Sequence, residues 1–450
     1  MKKWLALLCL FLCMIPAALA EVEGDFEYRR LEDGSLEITG FAPGCTASEL
    51  VIPAQLGGQP VSGIGSYAFS GCEDMVSLTL QEGIARIGEA AFSDTGLTDL
   101  HLPASVTELS AASFRSCPNL AAITLAQDHP AFSVKDGVLF DKAGETLIMY
   151  PAGRKGKAYT VPEEVLAIGS CAFDQPRNLT QVTLPKGLKV IGNEAFSNAS
   201  ISELTLPDSL KEIGSGAFNM CFGLKKLKLP KGVEIIHGNP LVNVSAKITV
   251  DQKNPVFAVK DGMLIDKKQG WLIRAPHQES ACTVPEGIVY IADGAFNMSF
   301  VSSLTLPEGL EGIGAGAFEN CTELARVDFP QGLKTIGDHA FSYCTGLKSV
   351  TFRQGLEEIG SSAFQSCTGL EELLLPDGLE RIGSGAFENC SGLKELLLPD
   401  GLEKIGYRAF RNCTGLKEVV LPSSLEVFSS SAFEGCGAVI IDKRTNEEGL

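Results

Sequence analysis

Along most of this chain, apolar residues return at a fixed set of positions. In Leu370-Glu371-Glu372-Leu373-Leu374-Leu375-Pro376 the leucines at 373 and 375 fall on one face of an extended segment, because successive strand side chains point to opposite sides. Pro376 ends that strand, having no N–H to give to a ladder. Asp377-Gly378 then predicts a turn, with glycine taking up a positive φ at little cost. Leu379-Glu380-Arg381-Ile382-Gly383 reads as a second short strand with alternate residues inward. Ala386-Phe387 and Cys390 are expected to face inward from a short helical or irregular turn that closes the coil.

The same pattern recurs along the sequence. With the aromatic of the Ala-Phe pair as marker, copies stand at Phe69, Phe92, Phe114, Phe173, Phe196, Phe218, Phe296, Phe318, Phe341, Phe364, Phe387, Phe410 and Phe433, and Leu241 holds the place in a degenerate copy. Uninterrupted neighbours are 22 or 23 residues apart. A period of this size with recurring leucines is a leucine-rich-repeat signal. One coil cannot bury its leucines alone, so the coils must stack. The expected fold is mainly β: a right-handed solenoid of about fourteen coils of 22–23 residues with short parallel strands.

Two segments interrupt the period. Phe132-Ser133-Val134-Lys135-Asp136-Gly137-Val138-Leu139-Phe140-Asp141 and Phe257-Ala258-Val259-Lys260-Asp261-Gly262-Met263-Leu264-Ile265-Asp266 are near copies. Each holds Asp-Gly between alternating apolar runs, a strong hairpin signal. They are expected to be β-hairpin-type insertions, about 127–160 and 251–284. Asp136 with Asp141, and Asp261 with Asp266, lack the spacing of a calcium loop, and turn chemistry accounts for them. The organisation expected is a leader over 1–20, a capping segment over 21–60, the solenoid over 61–441 and a polar tail over 442–450.

Lys2 and Lys3, the apolar run Leu5 to Ile15 and Ala18-Leu19-Ala20 before Glu21 have the three-part layout of a secretory leader. Its apolar run is shorter than the roughly 20 residues of a spanning helix. The expected location is therefore secreted or cell surface, with no membrane insertion once the leader is cleaved. The chain carries 37 basic and 55 acidic residues, a net charge of −18. Without Lys2 and Lys3 the balance is 35 against 55, or −20. A chain so acidic repels phosphate backbones, which argues against a nucleic-acid partner.

The string I-G-x-x-A-F-x-x-C-x-x-L-x-x-L-x-L-P stands almost complete at Ile359 to Pro376, Ile382 to Pro399 and Ile405 to Pro422. It resembles the BspA-like branch of leucine-rich repeats, a resemblance that covers about Phe26 to Ile441. The opening Phe41 to Cys72, with Val51-Ile52-Pro53 and Ile64-Gly65, looks like that family's first copy. The resemblance implies an extracellular protein, and for some members an adhesin role toward host matrix proteins or other cells. A repeat motif transfers a fold, and function has to be argued from the surface.

The chemistry offered by the residues is sparse. Cys72, Cys117, Cys221, Cys321, Cys344, Cys367, Cys390, Cys413 and Cys436 each follow the marker by three, and read as buried thiols acting as small apolar side chains. In-register side chains about 4.8 Å apart are too distant for ready disulfide closure, which wants Cβ atoms about 3.8 Å apart. The five histidines share no repeat position, and no nucleophile-elbow, HExxH or phosphate-loop pattern is present. No catalytic, metal or cofactor site is expected. The outward strand position runs Thr79, His101, Thr124, Thr183, Thr205, Lys228, Thr249, Thr305, Asp328, Thr351, Leu374, Leu397, Val420. Its last three residues predict an exposed apolar row bordered by Glu372, Glu395 and Glu418. An apolar patch with a polar rim is a candidate protein-binding surface. The function expected is therefore recognition of an extracellular protein ligand, such as a host matrix or cell-surface protein. The alternative is a carbohydrate-binding or envelope-structural role, for which a glycan is the candidate ligand.

Overall fold

The computed structural model describes residues 21–244 and 246–443. The expected leader and most of the polar tail, 444–450, lie outside the described residues. The chain divides into two compact units, Met1–Ile201 and Ser202–Leu450. The elements in both are short β-strands, with no α-helix among the described residues.

The second unit shows the repeating coil most clearly. Its outer strand Glu372–Leu374 pairs in parallel with Ser349–Thr351, which pairs in turn with Arg326–Asp328. Leu373 lies opposite Val350, and both are buried. Leu379 N–H donates to Pro376 O at 3.1 Å, which turns the chain. Gly378 is not among the residues with positive φ, so the turn following proline does not need the left-handed conformation expected of it.

The next strand, Arg381–Ile382, pairs in parallel with Glu358–Ile359 on one side and Lys404–Ile405 on the other. Ile382 points into the core, as do Ile359 and Ile405 beside it. Coils approach very closely just beyond it. A Cβ on Gly383 would stand 2.5 Å from Ser361 N and 2.6 Å from Gly360 C, which is why glycine follows isoleucine in the repeat.

The third side is an irregular turn without helix. Phe387 N–H donates to Ala409 O at 2.7 Å, and Asn389 N–H donates to Arg411 O at 2.8 Å. Asn389 and Asn412 sit in the left-handed region, at φ 63° and 58°, where asparagine is among the better tolerated residues. The inward rings stack from coil to coil. Phe364 and Phe387 are 5.2 Å apart with planes 2° from parallel, and Phe387 and Phe410 are 5.2 Å apart at 6°.

Both interruptions form three-stranded antiparallel meanders. The first comprises Phe132–Lys135, Val138–Asp141 and Thr146–Met149, and the second Phe257–Lys260, Met263–Asp266 and Trp271–Arg274. Asp136, Gly137, Asp261 and Gly262 all have positive φ, the geometry of a tight hairpin turn. Each meander then rejoins the solenoid. Leu147 pairs in parallel with Ile168, and Leu272 with Ile291. Tyr150 occupies a marker position, its N–H bonded to Ala172 O at 2.8 Å and its ring 5.2 Å from Phe173. Ala275 does the same with a bond to Ala295 O at 2.9 Å.

The start of the chain behaves similarly. Phe26–Arg30 and Leu36–Phe41 are antiparallel, and Leu36–Phe41 then pairs in parallel with Gln59–Ile64. Coils of these kinds carry no Ala-Phe pair. Counting markers therefore gives about fourteen, whereas the chain makes about 18 turns of ~23 residues.

Candidate recognition face

The outer strands place the expected row where alternation puts it. Leu373 is 3% exposed, while Leu374 is 64% and Leu397 70% exposed. Thr351 lies opposite Leu374, Leu374 opposite Leu397 and Leu397 opposite Val420, all in parallel register. Val420 is half-buried. The row does not stop there. Val420 pairs with Ile441 in the final strand Val439–Asp442, and Ile441 is exposed. The repeat pattern ends the row at Val420 and does not join Ile441 to it. The last coil is two residues short of the usual period, so counting by 23 from Val420 passes Ile441. Counting alternate residues within the last strand would have found it.

Glu372, Glu395 and Glu418 are exposed beside the row. A groove of about 360 Å³ is lined by Glu371, Glu372, Leu374, Lys394, Glu395 and Leu397. Lys394 bonds to Glu371, and that bond holds the Glu371 carboxyl below the usual range. Glu372 and Glu395 form no ion pair among the described residues and leave the groove edge negative.

From Thr79 to Thr351 the outward position is polar, and several of its residues are paired locally, while Val51 opposite Thr79 is exposed. His101 Nδ1 lies 3.0 Å from Thr124 Oγ1 across adjacent coils. Lys228 bonds to Asp251 Oδ2 at 2.9 Å and Arg326 to Asp328 at 2.8 Å. The change from this chemistry to leucine is confined to the end of the array.

The thiols form an interior line. Cys344, Cys367, Cys390 and Cys413 are buried, and each Sγ donates to the phenylalanine carbonyl of the preceding coil at 3.1 Å. Burial pushes the Cys321 thiol up to about 11 and the Cys390 thiol up to about 12. Such groups are neutral and poorly nucleophilic at pH 7. No group of three or more His, Cys, Asp or Glu placed to hold a metal occurs among the described residues. Nor is any helix among them long and apolar enough to cross a membrane.

Stacked coils of parallel strands with inward leucine, phenylalanine and cysteine define a leucine-rich-repeat protein. The chain belongs to the BspA type leucine rich repeat region family, whose model matches residues 40–135, 153–256, 278–394 and 311–440. Its fold is similar to that of a leucine-rich repeat protein from Eubacterium ventriosum, at 21% identity and TM-score 0.57 over 92% of this chain and 94% of that one. It is also similar to the pneumococcal vaccine antigen PcpA, at 18% identity and TM-score 0.51 over 94% of this chain and 98% of that one. No curated protein matches the sequence.

Proposed function

We propose that this chain is a secreted or cell-surface, non-enzymatic recognition protein whose outer strand face binds an extracellular protein in an adhesin-like role. The observation that carries the reading is the in-register exposure of Leu374 and Leu397, continued by Val420 and Ile441. Leaving a leucine exposed forgoes roughly 1.5–3 kcal/mol of burial, so a partner covering the row gains several such increments. The acidic border selects the partner's chemistry: an apolar ridge flanked by lysine or arginine, as a host matrix or cell-surface protein can present. Complementary charge would raise the association rate and fix register more than it raises affinity.

A screen of the full-length protein against extracellular-matrix proteins and a glycan array tests this. We expect saturable protein binding that is abolished by Leu374→Asp with Leu397→Asp. Both side chains point outward, so circular dichroism and the unfolding midpoint should be unchanged. Undiminished binding by that folded variant removes the row from the mechanism. A second reading, glycan binding, draws on Phe222 and Phe300, exposed at 76% and 57% at the turn side of the coil. Binding on the glycan array alone would favour it.

A further inference from the structure

The two meanders are near copies, and the first serves as an internal reference for the second. Aligning Asp136-Gly137 with Asp261-Gly262 sets Ala122 against Lys247, Met149 against Arg274 and Ala152 against His277. In the first copy the hairpin closes onto the outer strand, with Ile123 N–H donating to Gly137 O at 3.2 Å. The second makes no such bond between Ile248 and Gly262 among the described residues, and a Cβ on Gly262 would meet Pro276, where one on Gly137 would meet Ala122. A cavity of about 510 Å³ opens there, lined by Lys247, Thr249, Val259, Arg274, Pro276 and His277 among others.

Arg274 is the unusual group in this cavity. It is 6% exposed and donates to the carbonyls of Val244 and Ala246, yet no carboxylate pairs with it among the described residues. Two carbonyls orient a guanidinium without neutralising it, and they use two of its five donors. Burial without a counter-charge pulls its pKa down to about 10. An unpaired buried charge is expensive, and the first copy shows that the fold accepts methionine here, with Met149 buried. Lys247 is exposed and without an ion pair, and it stands in register with Lys226 on the neighbouring strand. Glu279 also lines the cavity but is exposed at its rim and bonded to neither cation. On a chain with a net charge of −18, this concentration of positive charge stands out.

We propose that this cavity binds a small organic anion of about monosaccharide size, its carboxylate held between Lys247 and Arg274 and its hydroxyls by Thr249 and His277. The volume exceeds what a bare inorganic ion fills, and Val259 and Pro276 supply apolar wall. The site is separate from the leucine row and does not depend on it.

Isothermal titration calorimetry of the full-length protein with D-galacturonate, D-galactose, acetate and inorganic sulfate tests the proposal. Saturable galacturonate binding is expected, with no saturable heat from galactose. Lys247→Ala and His277→Ala restore the first copy's residues and should each weaken binding at least tenfold with unchanged thermal unfolding. Arg274→Met should abolish it. No galacturonate binding, equal binding of galactose, or undiminished binding by folded Lys247→Ala would overturn the site. Sulfate or acetate binding as tightly as galacturonate would overturn its selectivity for an organic anion.

Discussion

A cysteine in each coil of the second unit's regular run does two jobs that serine or alanine would do less well together. It fills a small apolar slot, and its S–H reaches the carbonyl of the preceding coil, as in Cys367 to Phe341 O at 3.1 Å. The recurrence was legible in the sequence. The acceptor was not, because it depends on how far one coil is displaced along the stack. The raised thiol pKa values give a pH signature. An unfolded thiol ionises near its ordinary value of 9.0, whereas folded Cys321 and Cys390 ionise only at about 11 and about 12. Their stabilising effect is thus fully present below pH 9 and lost as pH rises through the folded values. Urea unfolding measured between pH 8 and pH 11 should show falling stability, and the fall should be shallower in Cys321→Ala with Cys390→Ala. Identical slopes would mean that lysine and tyrosine ionisation accounts for all of it.

Within a coil, the phenylalanine stack and the glycine after isoleucine set the spacing. Phe364 lies between Phe341 at 5.1 Å and Phe387 at 5.2 Å. Phe364→Ala should cost about 3–5 kcal/mol. Gly383→Ala should also destabilise, since its Cβ would collide with the backbone of Ser361 and Gly360 and neither neighbour is a movable side-chain tip. Chemical denaturation of both variants checks this, and a neutral Gly383→Ala would show that coils can part at little cost. Strand alternation, the Asp-Gly hairpins and the outward row were readable because each rests on local geometry. The return of each meander to the ladder was not, because Tyr150 and Ala275 fill the marker position without the Ala-Phe pair. The cationic cavity was hidden for a related reason. Lys247 stands well before Arg274 and His277 in the sequence, and only comparison with Ala122, Met149 and Ala152 singles the three out.

For the molecule as a whole, stability is close to a sum over coils and their interfaces. Unfolding of such an array need not be two-state, and a single midpoint then describes it poorly. Hydrogen exchange offers the better probe. In Phe364→Ala, amide protection should fall most in the coils around residues 341–410 and recover toward Phe296. Uniform loss of protection across the second unit would indicate cooperativity stronger than nearest-neighbour stacking.

In-register stacking also bears on how such a chain can change over generations. Removing one whole coil between Ile359 and Ile405 would leave each bond from Phe341 N to Ala363 O or from Cys390 Sγ to Phe364 O with an equivalent partner in the next coil. Loss of a single residue would instead shift a strand and turn its leucines toward solvent. The near-identical stretches at Ile359, Ile382 and Ile405 are therefore places where gene slippage can add or delete folding units, lengthening or shortening the apolar row one leucine at a time.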